Sequence, residues 1–367
     1  MPSTQPTAAT LTIADAVNVE ISPCGPEQLR TVGRQLGRLA AERVPTGNAP
    51  GNMDISIEFV PTSKPSRLVF AGASDAGRTL DHFVLFSGEH AVRYDLADSE
   101  AIRIRAPSDC STVPLLVPLI SAVAARKGRM PIHGSAFVWK GRCVLVTGWS
   151  KGGKTETLLP FVLDGADYVG DEWLFLSEDR IVTGIPEPIR IWDRQLAEFP
   201  GLRSKTPARA RAKMAMWRMA SGLFGAFRHP ELDRVQRAVD RQRNVQIDPL
   251  DLFGAGSCRA SAPVDTLVVV ASSDDPDTTI ERLEPADAAA AVAATTRYEH
   301  LRVLEAELKH QYLFPGRPAA LWSEVDRRLD ALPSVIAHLA AFRVLHPHPA
   351  RSTDLYAAVS AVIQDWT

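Results

Sequence analysis

The stretch that most constrains this chain is Gly148-Trp149-Ser150-Lys151-Gly152-Gly153-Lys154-Thr155, a complete G-x-x-x-x-G-K-[ST] pattern. Its flanks decide its meaning. Cys143-Val144-Leu145-Val146-Thr147 precedes it and reads as an apolar strand, and Thr155 to Leu163 follows it as an apolar helix. A strand running through a glycine-rich turn into a helix is the setting in which this pattern cradles phosphates. Successive backbone N–H groups wrap the phosphate oxygens, and the helix N-terminus adds partial positive charge. Gly148, Gly152 and Gly153 let the backbone approach closely, with Trp149, Ser150 and Lys151 spaced between them. Lys154 is expected to reach the β- and γ-phosphates of ATP, and Thr155 to offer its hydroxyl to Mg²⁺.

Two further elements lie close by. Gly170-Asp171-Glu172 sits sixteen residues beyond Thr155, counted to Asp171, between the apolar runs Tyr168-Val169 and Trp173 to Leu176. Mg²⁺ is a hard cation that takes carboxylate oxygens, and an acceptor hydroxyl benefits from a carboxylate that orients it and takes its proton. Successive side chains of an extended segment point opposite ways, so the pair can divide these tasks. On the other side, Ile132 to Trp139 and Arg142 to Thr147 read as a hairpin joined by Lys140-Gly141. This puts His133 on the strand beside the one entering the loop, as a candidate general base or substrate-orienting group.

Taken together, His133-Gly134, the hairpin at Lys140-Gly141, Gly153-Lys154-Thr155-Glu156 and Gly165-Ala166-Asp167-Tyr168-Val169-Gly170-Asp171-Glu172 resemble the core of the HPr kinase/phosphorylase family. The match covers about residues 130 to 192. It implies an α/β fold: a P-loop kinase core of the HPr kinase/phosphoenolpyruvate carboxykinase type, a mixed sheet flanked by helices. It also implies roles. Residues Gly148 to Glu156 would bind ATP, with Lys154 catalytic; Asp171 would deprotonate the acceptor hydroxyl; Thr155, Glu172 and Glu156 would serve the metal; His133 would lie near the reacting groups. The family's oligomeric assembly makes a homo-oligomer one state the resemblance implies. The chain departs from the family in three places. Glu172 stands where the family has a second aspartate. Trp149 and Lys151 make the loop bulkier and more basic. Past Arg194 the signature that engages HPr is missing. The chain therefore looks more like the divergent HPr-kinase-like proteins of biosynthetic clusters, some of which phosphorylate a peptide or a small hydroxyl compound.

Around this core, residues 1–18 read as a flexible terminus and 19–128 as a small α+β module. In that module Pro26 to Val44 is an amphipathic helix, Thr46 to Asn52 breaks the chain, several short strands follow, and Thr112 to Arg126 is a buried helix. Residues 129–317 are expected to form the ATP-binding catalytic domain, with Val264 to Ala271 as a central buried strand. Residues 318–367 read as a helical C-terminal region. Between Arg203 and Arg243, eleven Lys and Arg stand against three Asp and Glu. A solvated helix face explains such a run, and an anionic substrate or the nucleotide phosphates would also suit it.

The overall net charge of −2 gives no general pull toward nucleic acid, and no recognisable nucleic-acid motif accompanies the basic run. No run of about 18 apolar residues, the length of a membrane span, is present. The four cysteines are scattered without a zinc or disulfide pattern. A cytoplasmic kinase is the leading expectation, with ATP, Mg²⁺ and an unidentified hydroxyl-bearing peptide, protein or small molecule as partners, and with neither nucleic acid nor membrane. The alternatives are a P-loop ATPase or nucleotide-gated regulator without a dedicated acceptor, and a degenerate nucleotide-binding module.

Overall fold

The structure is a computed structural model that describes residues 8–38, 53–62, 67–72, 76–96, 101–225, 242–317 and 319–364. The chain divides into two units, Met1–Glu187 with Arg259–Thr367, and Pro188–Cys258.

The larger unit begins with an eight-stranded sheet. Its strands are β1 (Ala9–Ile13), β2 (Val17–Ser22), β3 (Ile55–Val60), β4 (Val69–Phe70), β5 (Ala76–Arg78), β6 (Phe83–Ser87), β7 (His90–Asp95) and β8 (Ile102–Pro107), in spatial order β1-β2-β3-β8-β7-β6-β5-β4. Burial alternates strictly along β1 and β2, as in a sheet with one face on the core. Helix α1 (Pro26–Leu36) opens with proline at its first position and ends at Gly37, whose φ of 76° suits glycine. Helix α2 (Leu116–Arg126) is buried over most of its length, consistent with its apolar and alanine-rich sequence. Residues 9–13 fall in the segment expected to be a flexible terminus. They are a strand because Ala9, Leu11 and Ile13 bury against the sheet's core while Ala14 and Asp15, both at positive φ, turn the chain into β2. The helix expected to reach Val44 ends at Leu36; residues 39–52, including the break at Thr46 to Asn52, lie outside the described residues.

The second sheet carries the phosphate-loop motif. It contains β9 (Met130–Trp139), β10 (Arg142–Gly148), β11 (Asp167–Leu176), β12 (Ile181–Gly184), β15 (Ser261–Ser273), β16 (Thr279–Arg282) and β17 (Ala340–Pro347). The β9–β10 hairpin turns at Lys140 and Gly141, φ 51° and 80°, the double positive φ of a type I′ turn. From β10, parallel pairing runs to β15 and then to β17. β10 also pairs with β9, β9 with β11, β11 with β12, and β12 with β15, so five strands form a closed ring of hydrogen bonds. β10 is buried from Cys143 to Gly148 and β15 from Thr266 to Val270, and both stretches are rich in Val and Leu, as strands covered on both faces must be. Helix α3 (Lys154–Leu163) follows the loop after β10. Its buried Leu158, Phe161 and Val162, with Phe161 stacked on Phe137 at 4.5 Å, fix its direction against the sheet. One contiguous apolar cluster includes Ile57 and Ile104 of the first sheet, Leu145 and Leu267 of the second, and Ile120 of α2.

The C-terminal region expected to be helical from residue 318 also contains β17. Pairing with β15 over eight residues makes Ala340–Pro347 an interior strand, a long-range contact that local propensity does not announce. Among the described residues no helix is long and apolar enough to cross a membrane.

The smaller unit holds a two-stranded antiparallel sheet, β13 (Ile189–Trp192) with β14 (Asn244–Ile247), and helices α4 (Asp193–Glu198), α5 (Pro200–Lys205), α6 (Ala208–Gly225) and α7 (Pro249–Phe253). Asp193 accepts hydrogen bonds from Arg218 at 3.2 Å and Arg243 at 2.8 Å, so part of the basic run is neutralised within the unit. The larger unit closes with α8 (Pro285–Glu299), α9 (Leu301–Leu313), α10 (Trp322–Asp330), α11 (Leu332–Ile336) and α12 (Ser352–Gln364).

Candidate active site

At the C-terminal end of β10 the chain must turn sharply against β15. A Cβ on Gly148 would stand 2.4 Å from the Val270 carbonyl oxygen, so only glycine fits. The loop closes on itself through Gly152 N–H donating to the Trp149 carbonyl (2.9 Å). Gly153, at φ 106°, is the N-cap of α3. Thr157 N–H is the donor that returns to the Gly153 carbonyl (2.8 Å). Helix geometry thus leaves the donors before Thr157 without intrahelical acceptors and directed off the helix end, the requirement for an anion cradle. Lys154 Nζ folds over the loop and donates to the carbonyls of Gly148 (2.9 Å) and Trp149 (3.1 Å). Burial pushes its ammonium down, and the carboxylates of Glu172, Asp171, Glu299 and Glu156 oppose that shift.

β9 and β11 deliver the acidic pair. A bulge between Tyr168 and Gly170 precedes it, and Asp171 and Glu172 stand opposite Ser135 and Gly134. Glu172 adopts φ 71°, a left-handed backbone unusual for a residue with a Cβ inside a strand. This interrupts the regular alternation at the pair. Asp171 is buried and accepts a hydrogen bond from the Thr155 hydroxyl at 3.0 Å. Its other oxygen, Oδ1, is buried with no hydrogen-bond partner. Burial first, then the charge of Glu172, push its carboxyl up to about 7, against the Thr155 hydrogen bond and Lys154. A carboxyl tuned to that range can take a proton near neutral pH.

Glu172 turns toward His133, whose Nε2 lies 2.9 Å from its Oε2. His133 is itself buried. Its Nδ1 makes no hydrogen bond, and Glu299 Oε1 is 3.9 Å away. The His133 carbonyl accepts from Thr147 Oγ (3.0 Å), one residue before Gly148, which ties the histidine strand to the loop. Trp173 packs on His133 at 5.5 Å and meets the buried His300 ring edge-on at 4.5 Å. Burial pushes His300 down to about 4, so it is neutral at physiological pH.

The structure therefore brings Lys154, Thr155, Asp171, Glu172 and His133 to one place. Glu156 is buried in the first turn of α3. Three contributors were not singled out from the sequence. Glu299 and Tyr298 end α8 beyond Thr296, where the sequence pattern stops, and Tyr298 stacks at 4.6 Å on the half-exposed Trp149 of the loop. His346, on β17, places Nε2 2.8 Å from the Gly152 carbonyl oxygen.

Among the described residues no three His, Cys, Asp or Glu side chains form a preformed metal cage. Mg²⁺ characteristically keeps several waters and uses one or two carboxylates together with substrate phosphates. The Thr155 hydroxyl, with the carboxylates of Glu172 and Glu156 near enough to act on the neighbouring Lys154, is an all-oxygen donor set that fits that requirement.

No protein-family model matches the chain, and no curated protein matches it. Among solved structures, the chain is similar to the HPr(Ser) kinase/phosphatase from Coxiella burnetii, with a TM-score of 0.28 and 12% identity over 65% of this chain and 91% of that one.

Proposed function

We propose that this protein is a P-loop phosphotransferase that moves the γ-phosphate of ATP to a hydroxyl acceptor. The observation that carries the reading is the buried Asp171 carboxyl, held by Thr155 at the mouth of the phosphate loop and poised near neutrality with one oxygen unpartnered. Phosphoryl transfer asks a protein mainly for positioning and for charge placed where it develops. The loop's backbone donors hold the phosphates, and Lys154 swings from the Gly148 and Trp149 carbonyls to the phosphate oxygens. Asp171 Oδ1 accepts the acceptor's hydroxyl proton as the oxygen attacks the γ-phosphorus, the bond from that phosphorus to the β,γ-bridging oxygen breaks, and ADP leaves. Glu172 raises the proton affinity of Asp171 and orients His133 beside the acceptor. Thr155, Glu172 and Glu156 would hold Mg²⁺, which when bound neutralises charge on the phosphates.

The Thr155–Asp171 hydrogen bond also favours a second reading, because P-loop NTPases use such a pair as their metal-holding hydroxyl and carboxylate. Asp171 would then serve the metal, and the product would be free phosphate. One experiment separates the two. Protein is incubated with γ-labelled ATP, Mg²⁺ and a panel of hydroxyl-bearing peptides and small molecules, with Asp171→Asn in parallel. Label on an acceptor, lost in Asp171→Asn while Mg²⁺–ATP binding persists, supports the kinase. Acceptor-independent phosphate release, with Mg²⁺–ATP binding weakened in the variant, refutes it.

A further inference from the structure

His346 is a buried histidine at the C-terminal end of β17, far from the loop in sequence and against it in space. β10, β15 and β17 run parallel, and β17 places His346 opposite Ser272, two residues past the Val270 that faces Gly148. The carboxyl ends of these parallel strands therefore bring His346 and the loop after β10 to the same edge of the sheet. His346 Nε2 lies 2.8 Å from the Gly152 carbonyl oxygen, and its Nδ1 lies 2.9 Å from the carbonyl oxygen of Pro347. The fit is close. A Cβ on Gly153 would come within 3.0 Å of His346 Nε2 and 3.3 Å of Leu355 on α12, so the loop backbone is seated directly on this ring.

That contact sets the direction of one peptide group. In a planar trans peptide the C=O and the following N–H point opposite ways. With the Gly152 C=O turned onto His346, the Gly153 N–H faces away from it, toward the side on which the first donors of α3 are free. Gly153, at φ 106°, has little intrinsic reason to hold that orientation, since glycine explores both hands of the backbone. We propose that His346 is a positioning residue of the phosphate site: its Nε2–H, donating to the Gly152 carbonyl, locks the 152–153 peptide so that the Gly153 N–H is aimed at the bound phosphates. The inference rests on the loop being a phosphate site and deepens that reading. It reaches no reacting atom and acts through the backbone.

The geometry makes a demand on the proton. A neutral imidazole has one N–H and can serve only one of its two carbonyl neighbours, while the doubly protonated ring serves both. Either species serves the loop if the proton is on Nε2; the tautomer with Nδ1–H alone does not.

The test uses the full chain. Binding of ATP and of inorganic pyrophosphate is measured for wild type, His346→Leu and His346→Gln. Leucine keeps apolar bulk and removes the donor; the glutamine amide reaches the same place and can donate. His346→Leu is expected to bind both probes about tenfold more weakly, the size of one buried hydrogen bond. The KM for ATP should rise with little change in kcat, and His346→Gln should recover most of the loss. Wild-type-like binding of both probes by folded His346→Leu overturns the proposal while leaving the phosphate site standing. Failure of wild type to bind either probe overturns the phosphate site itself, and the proposal with it. Should His346→Leu not fold, ¹⁵N-histidine spectra of wild type decide: a protonated Nε2 on His346 is expected, and a bare Nε2 overturns the proposal.

Discussion

Replacing Asp171 by Asn should stabilise the protein, and the gain should depend on pH in a definite way. The Asp171 carboxyl moves from an ordinary 3.8 to about 7, because burial and the Glu172 charge disfavour its ionised form. Between those values the unfolded chain has released its proton while the folded chain still holds it. Wild-type stability linked to this group is therefore complete below about pH 4, falls as pH rises toward 7, and is lost above that. A shift of about three units at ~1.4 kcal/mol each gives on the order of 4 kcal/mol across the window. Asn carries no charge and has no such loss. It can still accept from the Thr155 hydroxyl, and its amide nitrogen takes the place of the unpartnered Oδ1; any mismatch there is a constant offset without pH dependence. The difference in melting temperature between Asp171→Asn and wild type should thus widen from pH 4.5 to pH 7.5, then level off. At roughly 2 °C per kcal/mol for a large chain, the widening is on the order of 5–8 °C. Scanning calorimetry of both proteins at matched ionic strength reads it directly. A difference that stays flat with pH, or widens toward acid, would show that the carboxyl is not held protonated by its surroundings. That result would remove the basis for treating it as a base poised near neutrality.

The remaining predictions concern the loop and its neighbours. Lys154→Met removes a charged donor from the phosphates and should weaken ATP binding about ten- to a hundredfold in titration calorimetry, without lowering the melting temperature, since burial disfavours that ammonium. Gly153→Ala forces a side chain onto φ 106° and within 3.0 Å of His346, so denaturant unfolding should show a loss on the order of 1–3 kcal/mol together with loss of nucleotide binding. Glu172→Gln takes away the negative charge that helps raise Asp171. The acid limb of the rate–pH profile should move to lower pH, and a limb that stays in place would assign it to another group.

How much of this site could be read in the sequence follows from the distance over which each part is encoded. The loop is local. Gly152, where a Cβ would meet the Trp149 carbonyl oxygen at 2.9 Å, and Gly153, at φ 106°, are required by backbone geometry within a few residues of themselves, and Lys140-Gly141 fixes its own turn. The acidic pair was visible as residues, but its arrangement was not. Strict alternation would send Asp171 and Glu172 to opposite faces, whereas the bulge and the left-handed Glu172 break that alternation and leave both carboxylates close enough to act on Lys154. β17 was hidden because Phe342 to His346 is a short mixed segment interrupted by Arg343, whose strand character comes from β15, some seventy residues earlier in the chain. Glu299 and Tyr298 were hidden because α8 continues three residues past its alanine-rich stretch. These omissions share a direction. The residues proposed to grip phosphate are written beside the loop, since backbone donors need only local glycine and a helix start. Those that touch the loop or His133 from elsewhere, His346, Tyr298 and Glu299, arrive through strand pairing and helix packing across more than a hundred residues. On the proposed kinase reading, the acceptor is therefore to be sought where Tyr298 and Glu299 border the loop, because those side chains are not among the groups assigned to the nucleotide or its metal.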